Sequence, residues 1–312
     1  MRHIHTVIRA VDAAGPGIRR LVLIDPDGWP LPKFRPGAHI DLHLPGGLVR
    51  SYSLCGDPAQ QDRYVIAVKR EAAGRGGSAF LHDRAALGDA IGVSLPRCTF
   101  PLAPDAAEHV FIAGGIGVTP FLSMMAALER GGGRYRLHLL HRGAVPLPDM
   151  LAAHSASGRV ILHDTAAAPR PELAALLGPP ASGRHAYCCG PAGMIAAFEA
   201  ATAGWPAGTA HVEHFVPPPL PPDPSAQPFT LVLAKSGREV ALPAGANLLA
   251  VLRDLGIEVE WSCEGGICGA CRVRWLEGPP LHRDRVLLPQ EREREVMVCV
   301  AGCAGPRLVL DL

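Results

Sequence analysis

Along the first hundred residues apolar and polar positions alternate in short runs broken by Gly and Pro. Ala38-His39-Ile40-Asp41-Leu42-His43-Leu44, Arg50-Ser51-Tyr52-Ser53-Leu54 and Tyr64-Val65-Ile66-Ala67-Val68-Lys69 are three such runs. A period of two sends successive side chains to opposite faces, so the pattern predicts an all-β segment folded as a small antiparallel barrel. Near residue 108 the rhythm changes. Val110-Phe111-Ile112-Ala113 is apolar throughout and runs into Gly114-Gly115-Ile116-Gly117-Val118-Thr119-Pro120, then a helical stretch over 121–130. Further strands are expected at 136–140, 160–163, 186–189 and 211–215, with helical segments between them, one over 194–203. Apolar strands alternating with helices imply a parallel sheet with crossover connections.

The pattern stops at Pro217-Pro218-Pro219-Leu220-Pro221-Pro222-Asp223-Pro224-Ser225-Ala226-Gln227-Pro228. So much proline forms neither a helix nor an inner strand and favours an extended, semi-stiff spacer. The expected organisation is therefore multi-domain: a β-barrel over 1–103, an α/β domain over 104–216, a linker over 217–228 and a third domain over 229–312. A unit as small as the last is expected to need a staple.

Composition narrows the function classes. The net charge of +1 gives no basic field for nucleic acid or anionic membranes. No apolar run approaches the roughly 18 residues that span a bilayer. Met1-Arg2-His3-Ile4-His5 lacks the apolar core of a signal peptide. Of nine cysteines, Cys55, Cys98 and the adjacent Cys188-Cys189 look like buried thiols of a reducing compartment, so a cytoplasmic protein is expected.

The last domain carries the chemistry that staples it. Cys263-Glu264-Gly265-Gly266-Ile267-Cys268-Gly269-Ala270-Cys271 has the C-x4-C-x2-C spacing of a plant-type [2Fe–2S] site, with a fourth cysteine far downstream. Structural zinc more often takes two C-x2-C-like pairs, or Cys and His at helical spacing. Here three cysteines crowd into one loop whose glycines let amides approach sulfur. Cys299, in the apolar run Val296-Met297-Val298-Cys299-Val300, is the preferred fourth ligand, and Cys303 is its competitor.

Two glycine turns point to phosphate. Gly114-Gly115-Ile116-Gly117 lies between a strand and a helix, where amides and a helix N-terminus face an anion, although it is not the G-x-G-x-x-G fingerprint. Cys189-Gly190-Pro191 ends a later strand of the same sheet, and ligands of open parallel sheets lie at the strands' C-terminal ends. In the barrel, Arg50 and Tyr52 share a strand face and can offer a cation and an aromatic plane side by side. Gly74-Arg75-Gly76-Gly77-Ser78 precedes a helical run over 79–84, with Ser78 expected as its N-cap.

Arg50-x-Tyr52-Ser53, Gly76-Gly77-Ser78, Gly114 to Pro120 and Cys189-Gly190-Pro191 occur in the order of ferredoxin–NADP reductase-like flavoproteins. With the cluster motif at the C-terminal side, the chain resembles the phthalate dioxygenase reductase and vanillate O-demethylase reductase group over essentially its whole length. The resemblance implies a flavin barrel, a nucleotide domain and a C-terminal α+β ferredoxin domain of β-grasp type. It implies FMN rather than FAD, NADH as donor, and a Rieske-type terminal oxygenase acting on an aromatic acid as electron acceptor. Arg50 would pair with the FMN phosphate, Tyr52 would lie along the ring and Ser53 near its N5. Val68, Lys69, Gly76, Gly77 and Ser78 would complete that site. Gly114, Gly115, Gly117, Thr119, Cys189, Gly190 and Pro191 would receive nicotinamide, and Phe215 would cover the flavin. Ser53, Thr119, Cys189 and Phe215 would line the hydride path, with no acid, base or nucleophile acting covalently. Cys263, Cys268, Cys271 and Cys299 would hold the cluster.

A hydride brings two electrons together and a [2Fe–2S] cluster takes one, so a flavin between them gives the three parts a common purpose. Other acceptors (a cytochrome P450, a ferredoxin, ferric ions or quinones) use the same chemistry, and a redox sensor is the alternative of another class. The triplet His141-Arg142-Gly143 after the second nucleotide-domain strand departs from the group's usual Thr-Arg-Ser, and Arg142 could meet a 2′-phosphate. A monomer is expected. The fourteen histidines, among them His138/His141 and His211/His214, lack carboxylate partners at metal-ligand spacing and are expected to be core or surface residues.

Overall fold

In the computed structural model, described for residues 3–221, 223 and 226–312, the chain divides between Phe215 and Val216 into two compact units. Met1, Arg2, Pro222, Pro224 and Ser225, which bear on the expected N-terminus and linker, lie outside the described residues.

The first unit opens with β1 (Ile4–Ala13), β2 (Ile18–Ile24), β3 (His39–Leu44), β4 (Leu48–Ser53) and β5 (Tyr64–Lys69). A short helix α1 (Gly77–Asp83) and β6 (Ala90–Val93) follow. The six strands pair antiparallel in the order β4-β3-β6-β1-β2-β5. The sheet nearly closes on itself where Leu54 bridges Ile66 and the Cys55 amide donates to Val65 O (2.9 Å). Alternation gives the interior: Leu21, Leu23, Ile40, Leu42, Ile66 and Val68 are sealed in one core with Tyr64, whose hydroxyl donates to Pro32 O at 2.6 Å. Helix α1 begins at Gly77, earlier than expected. Its N-cap is Gly76 in the left-handed region, not Ser78, whose hydroxyl instead accepts from the Glu71 amide at 3.1 Å.

The same unit continues as β7 (Glu108–Gly114), α2 (Thr119–Gly131), β8 (Tyr135–His141), α3 (Pro148–Ala156), β9 (Val160–Asp164), α4 (Leu173–Leu177), β10 (Arg184–Cys189), α5 (Ala192–Ala201) and β11 (Ala210–Glu213). All strands run parallel, ordered β11-β10-β7-β8-β9, as buried apolar strands joined by helices require. Strand β11 stops at Glu213, so Phe215 lies beyond the strand on which it was expected. A single apolar cluster joins Ala14, Ile18, Cys55, Ala67 and Phe100 to Phe111, Phe121 and Tyr187, so barrel and parallel sheet share a core. Ser123, fully buried on α2, accepts from the Gly37 amide at 3.0 Å and locks the two together.

The second unit contains β12 (Phe229–Leu233), β13 (Arg238–Leu242), α6 (Leu248–Asp254), β14 (Arg272–Glu277), β15 (Pro280–Leu281), α7 (Pro289–Arg292), β16 (Glu295–Met297), β17 (Gly302–Cys303) and β18 (Arg307–Leu310). Its main sheet is mixed, ordered β13-β12-β18-β14-β16, with β12 and β18 parallel. The buried leucines of α6 (Leu248, Leu249, Leu252) pack with Leu231, Leu308, Leu310 and Val296. The start of the proline-rich stretch lies on this unit: Pro217 rests on Gly265, and Arg283 donates to Pro221 O.

Candidate functional site

At the C-terminal ends of β7 and β10 two loops touch. A Cβ on Gly117 would fall 2.3 Å from Cys189 O, and one on Gly114 2.7 Å from Pro191 Cδ. Gly190 sits equally close to Gly114, a Cβ there falling 3.2 Å from Gly114 Cα. Only a bare backbone fits such an approach. The segment Gly115–Val118 coils as a 3-10 turn into α2, where the Thr119 hydroxyl donates back to Ile116 O at 3.1 Å. Gly114, Gly115, Gly117, Thr119, Cys189, Gly190 and Pro191 are thus brought to one crevice edge.

Beside Cys189 stands a residue that sequence patterning did not single out. Parallel pairing aligns Ala113, Cys189 and Glu213 at the ends of three adjacent strands. The Glu213 Oε2 is buried with no hydrogen-bond partner, and burial pushes its carboxyl up to about 8. Burial likewise raises the Cys189 thiol well above its usual value, so it is held neutral. An acidic residue two places after His211 on a half-buried strand was the available signal; the environment of its carboxyl arises only from the register of three strands.

In the barrel, β4 carries Arg50 and Tyr52 on one face. The Arg50 side chain lies over the turn before α1: a Cβ on Gly77 would fall 2.4 Å from Arg50 Cγ. Its guanidinium donates to Val49 O (2.7 Å) and to Arg75 O. Tyr52 packs on the barrel core, and burial pushes its phenol up to about 12 against the opposing pull of Arg50. Arg50, Gly76, Gly77 and Ser78 are therefore neighbours around the start of α1, whose first amides have no intrahelical acceptor, with Tyr52 on the same strand face as Arg50. Ser53 is buried at the end of β4. Val68 is turned into the barrel core, with its carbonyl accepting from His82 Nε2 at 2.8 Å. Lys69 is ion-paired with Glu71 at 2.9 Å. Phe215 is 43% exposed past the end of β11.

In the second unit four thiols meet. Cys263 is in hydrogen-bond contact with Cys268 and Cys299, and Cys299 with Cys271. These contacts place the four sulfur atoms as mutual neighbours. Amides converge on sulfur as well: Gly265 N donates to Cys263 Sγ at 3.4 Å. Among the described residues no three His, Cys, Asp or Glu side chains are arranged around a single ion. Four converging thiols, three buried and Cys263 half-buried, with no side-chain bulk at Gly265 and Gly266, fit a cluster of two irons. Cys299 occupies the turn after β16, not the strand on which it was expected. Cys303 stands apart, its thiol donating to Arg307 O at 3.3 Å. Behind the loop, Arg285 N donates to Gly266 O (3.0 Å), and the buried Asp284 carboxylate accepts from the amides of Val286 and Leu287.

The histidines are core and surface residues. His138 pairs with His163 and His185 with His211, each ring nitrogen to ring nitrogen at 3.0 Å.

Comparison with known proteins places this geometry. Residues 231–304 match the model of the 2Fe-2S iron-sulfur cluster binding domain. The chain is 45% identical to the phenoxybenzoate dioxygenase subunit beta of Ectopseudomonas oleovorans, over 90% of its own length and 89% of that protein. It is 40% identical to the phthalate dioxygenase reductase of Burkholderia cepacia, over 93% and 91% of the two chains. The chain belongs to the phthalate dioxygenase reductase family. The solved structure of phthalate dioxygenase reductase, a modular structure for electron transfer from pyridine nucleotides to [2Fe-2S], superposes with a TM-score of 0.73 at 38% identity, covering 99% and 98% of the two chains. An intact type IV self-sufficient cytochrome P450 monooxygenase superposes with a TM-score of 0.90 at 37% identity, and there this chain spans 41% of the longer protein. As a phthalate dioxygenase reductase-type protein it is an NAD(P)H-dependent flavin and iron–sulfur oxidoreductase, with the barrel, parallel-sheet and ferredoxin architecture of that family. Among the described residues no helix is long and apolar enough to cross a membrane.

Proposed function

We propose that this chain takes electrons from NADH, passes them through FMN to its own [2Fe–2S] cluster, and delivers them to a Rieske-type oxygenase of aromatic acids in the cytoplasm. The observation that carries this is the coexistence, in one chain, of the touching crevice loops, the Arg50 turn and the four converging thiols.

Arg50, with the turn Gly76-Gly77-Ser78, would hold the FMN phosphate through a guanidinium and unbonded amides, and Tyr52 would flank the ring. Ser53 would stand near the reacting edge, and Val68 and Lys69 would border the site from the end of β5, the Val68 side chain being in the barrel core and Lys69 paired with Glu71. Bound there, FMN supplies what the protein lacks: acceptance of a hydride and release of its electrons singly. The crevice of Gly114, Gly115, Gly117, Thr119, Cys189, Gly190 and Pro191 would orient the nicotinamide, with Phe215 covering the ring until it arrives. Glu213 holds a proton on its buried carboxyl at neutral pH and so would act beside Cys189 as a donor, not as a charge. Cys263, Cys268, Cys271 and Cys299 would hold the cluster, with the Gly265 amide steadying a sulfur. Positioning, stacking and exclusion of water carry the catalysis. In domain terms, residues 1–103 would serve the flavin, 104–216 the nucleotide and 229–312 the cluster.

The test is rapid mixing of the holoprotein with NADH. Flavin bleaching followed by a reduced-cluster EPR signal is expected, and failure of NADH to bleach the flavin overturns the proposal. The acceptor is tested separately, by turnover with candidate oxygenases. The match to a self-sufficient P450 supports a second acceptor class, and efficient reduction of a P450 in preference to a Rieske protein would establish it.

A further inference from the structure

Between β15 and α7 the second unit buries three polar side-chain atoms that have no hydrogen-bond partner: His282 Nδ1, Asp284 Oδ1 and Arg292 Nε. They belong to one knot. The Asp284 side chain is 1% exposed. Its Oδ2 accepts from the amides of Val286 (3.1 Å) and Leu287 (2.8 Å). Arg292 donates to the Asp284 backbone oxygen at 2.8 Å, and its guanidinium stands 3.6 Å from Oδ2. Oδ1 is left over, with His282 Nδ1 3.8 Å away. That gap is too long for a hydrogen bond and shorter than the about 4.5 Å that two bonds through a water would span.

The His282 ring bonds the Arg292 backbone carbonyl, which a ring nitrogen does only by donating. Since Nδ1 has no partner, the ring hydrogen is on Nε2. Nδ1 therefore turns a lone pair toward a carboxylate oxygen, and one added proton would satisfy both atoms. Burial holds the ring below the ordinary histidine value of 6.5, against the pull of Asp284, so the proton is absent at neutral pH. The side chain is 15% exposed, which leaves a route from solvent.

The cluster loop of the same unit lies against this knot. The Arg285 amide donates to Gly266 O at 3.0 Å, and Asp284 Cα stands 3.0 Å from where a Cβ on Gly266 would fall. Gly266 precedes Cys268 by two residues, a reach of at most about 7 Å. An electron on the cluster is then a negative charge on the order of 10 Å from the ring, which at an effective dielectric of about 20 favours the protonated form about tenfold. The other charged groups around the ring are steady. Arg292 of α7, Arg272 of β14 and the loop's Arg283 and Arg285 stay cationic. Glu291 and Glu295 are paired with Arg272 at 3.1 and 2.8 Å.

We propose that His282 is a proton site coupled to the cluster: as an electron arrives there, Nδ1 binds a proton from solvent and closes onto the Asp284 carboxylate. The proposal rests on the cluster reading given above. In the coupled range one electron and one proton are gained together, only an N–H bond forms, and both are given up when the acceptor takes the electron.

The test is an EPR-monitored redox titration of the cluster in the full-length holoprotein, repeated from about pH 5 to about pH 8. In the wild type the reduction equilibrium is expected to become about tenfold less favourable across one step as pH rises, about 59 mV for one electron, and to be level on either side. His282→Gln keeps a donor for Arg292 O and binds no proton. Its potential is expected to be level throughout, at the wild type's alkaline value. Asp284→Asn keeps an oxygen for the Val286 and Leu287 amides but loses the anion, so its step should move to lower pH. A level wild-type potential, or a wild-type step retained in His282→Gln, overturns the proposal. If His282→Gln does not retain its cluster, Asp284→Asn decides, and a step left where the wild type has it overturns the proposal. Failure of the cluster reading would appear differently, as holoprotein with no reduced-cluster EPR signal, and it removes both.

Discussion

Cys299 and Cys303 are both buried, four residues apart, and only their partners distinguish them. Cys299 contacts two other thiols, whereas Cys303 is bonded to a backbone carbonyl. Cys299→Ser is therefore expected to abolish or strongly perturb the cluster's visible absorbance and EPR spectrum, and Cys303→Ser to leave both intact. Glu213 allows a prediction with a sign. Its folded pKa, about 8, lies above the ordinary 4.5, so the unfolded chain releases this proton first as pH rises. The group costs stability progressively between those values and by a constant amount above them. Glu213→Gln, neutral throughout, should raise the melting temperature relative to wild type by an increment that grows from pH 4.5 to 8 and then levels off. The three loop cysteines were singled out by the local spacing that cluster chemistry favours, whereas the fourth was a choice between Cys299 and Cys303 that spacing alone does not make. Glu213 was not legible, because its burial depends on strands distant in sequence.

The ends of elements were less legible than their existence, and the reason lies in pairing. Strands β14 and β16 pair through Arg272 and Met297, and beyond that pair both chains turn to bring Cys271 and Cys299 together. An apolar run read as strand to Val300 thus gives way to a turn at its ligand. Helix α6 is tied to that turn at its first residue. Asn247 caps it, accepting from Ala250 N at 3.0 Å, while its amide donates to Cys299 O at 3.3 Å. Asn247→Ala should cost roughly 1 kcal/mol in denaturant unfolding, the usual value of a lost cap, with faster cluster loss under a chelator. Asn247→Asp should keep most of the stability. At the crevice, the added methyl of Gly117→Ala would strike Cys189 O and Gly190 N and push apart the loops after β7 and β10. Flavin reduction by NADH should then fall about a hundredfold while bound flavin and cluster are retained, as a stopped-flow trace would register.

For the whole molecule, the sequence pattern disclosed three architectures but not how the first two are joined. Barrel and parallel sheet share one apolar cluster through Phe100, Phe121 and Tyr187, and the Gly37–Ser123 hydrogen bond has no local sequence signature. The proline run was legible as a break. That its first proline lies against a cluster glycine depends on packing between residues 48 positions apart in number, which no local pattern reports. Burial also sets the response to acid. His109, His138 and His211 are each lowered to about 4, chiefly by burial. The folded protein keeps them neutral, while the unfolded chain takes up protons below the ordinary value of 6.5. Their contribution is full above pH 6.5 and is lost as pH falls toward 4, so the melting temperature of the first unit should drop across that window.

The parallel pairing of β12 with β18 has a consequence for biogenesis. The strand synthesised last in this unit enters the middle of its sheet, between β12 and β14. During translation the segments bearing all four cysteines emerge before the strand that joins the two halves of the sheet around them. Domains generally fold as units, so this one cannot close until its final strand has left the ribosome. Iron delivery to the nascent chain would meet thiols on an open scaffold, and secure loading belongs to the interval after β18 has docked.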